Sequence, residues 1–429
     1  MFNAKPHVLL VAAKWWPLST RMATTLLQNG CAVSAISPRS HLLSFVDGIS
    51  ILYRYSSTDS LASLHRAVVD AKPDIIVPCD DGAAAQCRAL HDLDNNLRPL
   101  IEKSLGSLQS FGLLENRYRF LNASRDLGLC TPRTQRVVQK QDLIDWHQLG
   151  NEKTVVKVDG DSGGNGVRIC ESLAESLSAF EALRRSPNRL AAWKRVLIDK
   201  DPLAFWLRKQ PREVTVQEFI DGRPANSMVL SWQGRMLAIV SVFVVAADGP
   251  TGAATIVRVI DDARMEEAAR TVSAHLQLSG FFGLDFVIER ATGSPYLIEI
   301  NPRCTQLGHL EATRGGSLGA GLAAVLRGTG QREGEPAPVG TRIALFPQAV
   351  AAGPVVKPLV DASVLDVPVN SPELIAEMAK GMWPARQWIW RLYHTFNRAR
   401  LQEPIIYEDC GPAVLKAKPI SAPLLSAQS

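Results

Sequence analysis

The sequence predicts a protein of the α/β and α+β classes, with an N-terminal domain on a parallel sheet, a mixed α+β region, and a smaller C-terminal region. Three observations predict it. The first hundred residues alternate strand-like and helix-like runs at a spacing that calls for right-handed crossovers. The middle holds two hairpin signatures: Gln233-Gly234 between apolar runs at 228–232 and 235–245, and Ala291-Thr292-Gly293-Ser294 between runs at 281–289 and 296–300. Gly- and Pro-containing sequence at 328–340 then reads as a linker.

In order along the chain, residues 8–13 form a buried strand and 18–29 a helix stopped by Gly30. Residues 32–37 form a second strand, 61–70 a helix, and 74–78 a third strand ending at Cys79-Asp80-Asp81-Gly82. The turn after the first strand, Lys14-Trp15-Trp16-Pro17, holds no glycine, so a GxGxxG dinucleotide site is absent and a nicotinamide dehydrogenase is disfavoured. Residues 115–127 are helical up to Gly128. A strand at 153–158, a glycine-rich loop at 160–166, a strand at 167–170 and a helix at 173–185 follow. Next come a strand at 213–219 closed by Asp221-Gly222, the first hairpin, a helix at 264–278, and the second hairpin. No internal repeat is visible. Residues 411–429, with Pro412, Pro419 and Pro423 among small and apolar residues, are expected to be loosely ordered.

The totals narrow the class. At a usual size of ~100–200 residues per domain, 429 residues predict about two to four domains. With 46% hydrophobic and 21% charged residues, a core of normal size forms without disulfide or metal staples. A net charge of +5 suits an anionic substrate and lacks the dense basic footprint of a dedicated nucleic-acid binder. The seven cysteines are odd in number and include no CxxC, against a disulfide framework or structural zinc, and indicate a reducing compartment. Lys14 interrupts the apolar start before a signal-peptide core can form. The most apolar later stretch, 236–247, falls short of the ~20 residues of a membrane span and reads as a buried strand. A cytoplasmic protein without a transmembrane segment is expected.

Two stretches carry chemistry. In Val155-Val156-Lys157-Val158 and the loop after it, Lys157 precedes Gly160, Ser162, Gly163, Gly164 and Gly166. Glycines let backbone N–H groups approach phosphate oxygens, and Lys157 adds a point charge beside them. The loop returns into a strand, unlike a P-loop, which opens a helix; a flexible hairpin tip is the plainer reading. In the second hairpin, Glu299 and Asn301 differ by two and share a strand face. Asp285 can sit opposite them across the hairpin. Two carboxylates and an amide oxygen make an oxygen-only set suited to magnesium. Arg303 continues the alternation and would bring a guanidinium near metal-bound phosphates. A solvated acidic hairpin face is the alternative, but Phe286, Val287, Leu297, Ile298 and Ile300 mark the hairpin as buried, where unpaired carboxylates are costly. A third stretch, Gln217-Glu218-Phe219-Ile220-Asp221-Gly222, carries little information alone.

The order and spacing of these three stretches resemble the ATP-grasp superfamily, which includes biotin carboxylase, carbamoyl-phosphate synthase and the carboxylate–amine ligases. The resemblance covers about residues 114–303 and implies a pre-ATP-grasp domain before them. It implies a domain at 1–110, an ATP-grasp domain at 111–330 with subdomains at 111–212 and 213–330, and a C-terminal region at 331–429. It implies ATP and Mg2+ as ligands, with Mn2+ as a substitute. Lys157 would contact the α- and β-phosphates, and Gly160, Ser162, Gly163, Gly164 and Gly166 would close over them. Glu218 and Ile220 would offer backbone groups to adenine, with Gln217 and Phe219 beside it. Asp285, Glu299 and Asn301 would bind the metal, and Arg303 would steady the transferring phosphate. The family's usual first lysine is matched by Arg117, which keeps the charge with a different geometry. The usual acidic ribose ligand has no counterpart in Arg223-Pro224-Ala225-Asn226.

The resemblance implies phosphorylation of a carboxylate or bicarbonate to an acyl phosphate, which an amine or other nucleophile then attacks. Thr305 and Leu307 replace the glutamine and glutamate that biotin carboxylase carries, and no Met-Lys-Met biotinylation sequence is present. Carbamoyl-phosphate synthase has two ATP-grasp halves where this chain has one. Small-molecule carboxylate and amine (or thiol) substrates are therefore expected; the oligomeric state stays open, a homodimer being one option. Asp80 and Asp81 at a strand's carboxyl end are candidate substrate contacts or a helix cap; His309 and Glu311 are weaker candidates. The segment 386–400 places Trp388, Leu392 and Phe396 at helical spacing among Arg386, Arg391, Arg398 and Arg400. It reads as a packed amphipathic helix with a solvated basic face, or as a surface for an anionic membrane or nucleic acid. A non-catalytic ATP sensor carrying that helix is the competing function.

Overall fold

The structure is a computed structural model that describes residues 5–407 except 151–152, 160–165, 186–188, 211, 314, 330–335, 382 and 397–403. Four parallel strands, β1 (His7–Val11), β2 (Ala32–Ser37), β3 (Ile49–Arg54) and β4 (Ile75–Pro78), form the N-terminal sheet in the order β3-β2-β1-β4. The helices Leu18–Gln28, Ser60–Ala71 and Asp81–Leu93 alternate with them. The edge strand β3 is absent from the sequence reading; Ser50 and Arg54 leave it only a short apolar run, Ile51-Leu52-Tyr53, and none of its residues is fully buried.

A second, smaller sheet contains β5 (Thr134–Val137), β6 (Thr154–Val158), β7 (Val167–Cys170) and β8 (Val214–Glu218), all antiparallel, in the order β5-β8-β6-β7. The helices Lys140–Gln148 and Leu173–Leu183 cover it through Leu143, Trp146 and Phe180, which pack on Val156 and Val216.

The largest sheet runs β13-β12-β9-β10-β11-β14-β15, built from β9 (Gly222–Trp232), β10 (Arg235–Ala247), β11 (Ala254–Ile260), β12 (Gly280–Glu289), β13 (Pro295–Asn301), β14 (Arg342–Leu345) and β15 (Val364–Asp366). A short β16 (Ile405–Ile406) adds to β10. The apolar stretch at 236–247 is the interior strand β10, as its length predicts. Among the described residues no helix is long and apolar enough to cross a membrane.

Two apolar clusters run from the N-terminal sheet into the largest one. One joins Val8, Leu10 and Met22 to Met228 and Val240; the other joins Leu9 and Leu64 to Val229 and Phe282. The continuous packing holds the carboxyl end of β4 against the end of β13, where the Cys304 N–H donates to the Pro78 carbonyl at 3.0 Å.

Candidate ATP and metal site

The β12–β13 hairpin sets the acidic face. Its register places Asp285 directly opposite Glu299, and a bulge follows between Asp285 and Phe286. Asn301 lies opposite Gly283, two residues along the same face. On the other flank, β9 brings Asn226 opposite Asp285. Both oxygens of the Asp285 carboxylate accept amide hydrogen bonds, from Asn226 Nδ2 at 2.6 Å and from Asn301 Nδ2 at 2.9 Å. Burial raises the Asp285 carboxyl above its ordinary range, and the Glu299 carboxylate facing it pushes the same way.

These residues fit a hard cation. Asp285 and Glu299 sit opposite each other on half-buried strands, and their oxygens with Asn301 Oδ1 form the donor type that magnesium takes. Among the described residues no group of three or more His, Cys, Asp or Glu converges, so the set rests on two carboxylates and an amide.

Lys157 belongs to the smaller sheet. It sits on β6, 4% exposed, and its ammonium is pulled down to about 8, first by burial and then by the Arg117 charge. Glu299, Asp285 and Asp159 act in the opposite direction on Lys157, which puts both hairpin carboxylates within its electrostatic reach. Arg117 opens the helix Arg117–Asp126, whose cap Asn116 accepts from the Arg119 N–H. Arg117 Nη1 donates to Asp159 Oδ1 at 2.9 Å and Nη2 to Glu299 Oε1 at 2.6 Å. One guanidinium thus bridges the foot of the glycine loop to the β12–β13 hairpin, and the two carboxylates raise its pKa against the effect of burial. Gly166 forms the turn that enters β7; Gly160, Ser162, Gly163 and Gly164 lie outside the described residues.

The end of β8 is more committed than its sequence suggests. Gln217 is buried, and its Nε2 donates to Thr134 Oγ1 at 3.2 Å while its carbonyl accepts from Thr154 Oγ1 at 2.8 Å. The Glu218 N–H donates to the Arg133 carbonyl at 2.9 Å, and its carboxylate accepts from the Arg133 N–H at 3.2 Å. Phe219 lies 4.2 Å beneath Lys153 Nζ, and Ile220 is half-buried beyond the strand end.

Arg303 turns towards the N-terminal domain. Its Nε and Nη2 grip Asp81 at 2.6 and 3.1 Å, and Nη2 also donates to Asn301 Oδ1 at 3.0 Å. The bidentate pair raises the Arg303 pKa and lowers that of Asp81. Asp80 serves the fold: Oδ1 caps the helix Asp81–Leu93 through the Ala83 N–H, and Oδ2 accepts from the Ala13 N–H at 2.6 Å. His309 pairs with Asp366 at 2.7 Å, and Glu311 is exposed. Sequence reasoning missed Asp159 and Asn226. Asp159 follows the last residue of β6 and directly precedes the loop glycine, and Asn226 becomes meaningful only through the β9–β12 register.

Residues 195–306 match the model of the ATP-grasp domain. No curated protein matches the sequence. Solved structures share its fold at low identity. N5-carboxyaminoimidazole synthetase from Staphylococcus aureus is 14% identical with a TM-score of 0.54, covering 77% of this chain and 80% of its own. Carboxyaminoimidazole ribonucleotide synthase from Aspergillus clavatus, complexed with ATP, is 16% identical with a TM-score of 0.55, covering 79% of each. The biotin carboxylase domain dimer of 2-oxoglutarate carboxylase from Hydrogenobacter thermophilus, with MgADP and bicarbonate, is 12% identical with a TM-score of 0.56, covering 78% of this chain and 73% of its own.

Proposed function

We propose that this ATP-grasp protein is an ADP-forming ligase that uses Mg-ATP to join a small carboxylate to an amine. The observation that carries the proposal is a link between two sheets: Arg117 bridges Asp159, next to the end of β6, to Glu299 on β13, and Lys157 of β6 lies within electrostatic reach of Glu299 and Asp285. Anion-binding and cation-binding groups side by side are what a metal-bridged triphosphate requires. Asp285, Glu299 and Asn301 would hold magnesium, which when bound neutralises charge on the phosphate oxygens.

The protein's own part is positioning and charge. Lys157 would hold the α- and β-phosphates, and the loop closed by Gly166 would exclude water. The backbone of Ile220 at the end of β8 would meet the adenine edge, with Phe219 beside it. Glu218 contributes its carbonyl side only, because its N–H belongs to Arg133. Arg303, anchored by Asp81, would face the transferring phosphate. A substrate carboxylate oxygen attacks the γ-phosphorus as the bond to ADP breaks. An amine then attacks the acyl carbon, and phosphate leaves.

A screen of carboxylate and amine pairs for ADP release tests this reading. Glu299→Gln is expected to abolish release while the far-UV circular dichroism stays unchanged. Retained turnover in Glu299→Gln contradicts the metal assignment, and AMP in place of ADP contradicts the acyl-phosphate route. ATP binding with no phosphate release for any pair would favour a sensor.

A further inference from the structure

The ligase reading leaves one surface unused. The helix Trp388–Phe396 exposes Trp388, Ile389 and Leu392 at 71%, 44% and 51%. Positions 388, 389 and 392 lie on one side of a helix, so these side chains form an apolar stripe turned to solvent. The packed amphipathic helix expected from the sequence is not what Trp388 and Leu392 form; the side chain of Phe396, and Arg398 and Arg400, lie outside what is described.

Between Glu377 and Glu403 the sequence carries charge of one sign. Residues 378–402 contain Lys380, Arg386, Arg391, Arg398 and Arg400 and no Asp or Glu. Glu377, just before them, is already engaged by Arg386 and Lys380. Arg391 stands exposed, its Nε on the Ala385 carbonyl at 3.2 Å.

We propose that this helix docks the protein on the surface of an anionic lipid bilayer. A bilayer interface accepts both features at once: apolar side chains enter the acyl boundary while guanidinium groups meet headgroup phosphates. The nine-residue helix rises only about 13 Å, far short of the ~30 Å hydrocarbon core, so it lies on the membrane and does not span it. A second copy fits less well, since a symmetric pairing of this stretch would bring like charges together with no Asp or Glu among residues 378–402 to pair them. Single-stranded nucleic acid would use aromatic faces and leave Ile389 and Leu392 without a role.

The test is co-sedimentation of the full chain with vesicles of phosphatidylcholine alone and of phosphatidylcholine mixed with phosphatidylglycerol, at low and high salt. Binding to the mixed vesicles only, weakened by salt, is expected. The double variant Ile389→Asp, Leu392→Asp should bind about tenfold less or worse, since it removes apolar insertion and adds repulsion. Arg391→Gln should bind less tightly with a shallower salt dependence. The substituted side chains are exposed, so the melting temperature of each variant should match the parent. Failure to sediment with mixed vesicles, equal binding to neutral ones, or undiminished binding of the double variant would overturn the proposal. So would a dimer that the double variant dissolves, or RNA displacing the protein from vesicles through the same residues.

Discussion

Arg117 is the residue that most changes the picture drawn from sequence. Position and charge suggested a phosphate contact, but its guanidinium spans Asp159 and Glu299, which no spacing rule could pair. Truncating it leaves two carboxylates facing each other without their cation. Arg117→Ala should therefore lower stability by about 2–3 kcal/mol, at or below the low end for a fully buried pair because Glu299 is partly exposed, as read from urea unfolding. Arg117→Lys should recover only part, because an ammonium cannot reproduce the two-armed geometry. Lys157, by contrast, was legible as a strand lysine before a glycine loop. What the sequence could not give is its depressed pKa, which comes from burial beside Arg117. Between about 8 and the ordinary lysine value of 10.5, the folded protein holds fewer protons at this site than the unfolded chain. Stability of the ligand-free protein should rise with pH across that window, while ATP affinity falls as the ammonium discharges. Lys157→Met should remove both trends, as measured by chemical unfolding and calorimetric titration over pH.

At the level of elements, the two hairpins were readable because their turns and alternating apolar residues are local signals. Strand β7 was found at its observed limits. Strands β5 and β11 were not anticipated: β5 is four residues with polar Gln135 and Arg136 at its centre, and β11 follows a loop without a tight hairpin turn. Register also lay beyond the sequence, and register makes the site, since β9 against β12 puts Asn226 on Asp285. Gly222 guards that register. A Cβ there would come 2.1 Å from the Ile288 carbonyl oxygen on β12. Gly222→Ala must push β9 from β12 and should cost about 2 kcal/mol or more, seen as a lower melting temperature together with weaker metal-dependent ATP binding.

For the whole molecule, the binding elements come from three sheets, and contacts distant in sequence hold them together. Arg303 and Asp81 are 222 residues apart and tie the end of the β12–β13 hairpin to the N-terminal domain. Because Asp81 titrates below its ordinary value, this tie contributes stability above the unfolded carboxyl pKa and loses it as pH falls through the folded one. Asp81→Asn should flatten the acid limb of the stability–pH curve, and Arg303→Gln should flatten it no further in the double variant. The alternation of strands and helices told of the N-terminal sheet. It did not tell that two apolar clusters fuse that sheet with the largest one, because such packing depends on which faces meet.

The central claim is that Asp285, Glu299 and Asn301 bind the metal of a nucleotide held by Lys157. Electron paramagnetic resonance of Mn2+ titrated into the protein with ATP tests it most directly. Parent protein should show a bound-Mn2+ signal that requires ATP, lost in Glu299→Gln and weakened in Asn301→Ala and Lys157→Met. An unchanged signal in Glu299→Gln, or ATP binding indifferent to any divalent cation, would contradict it.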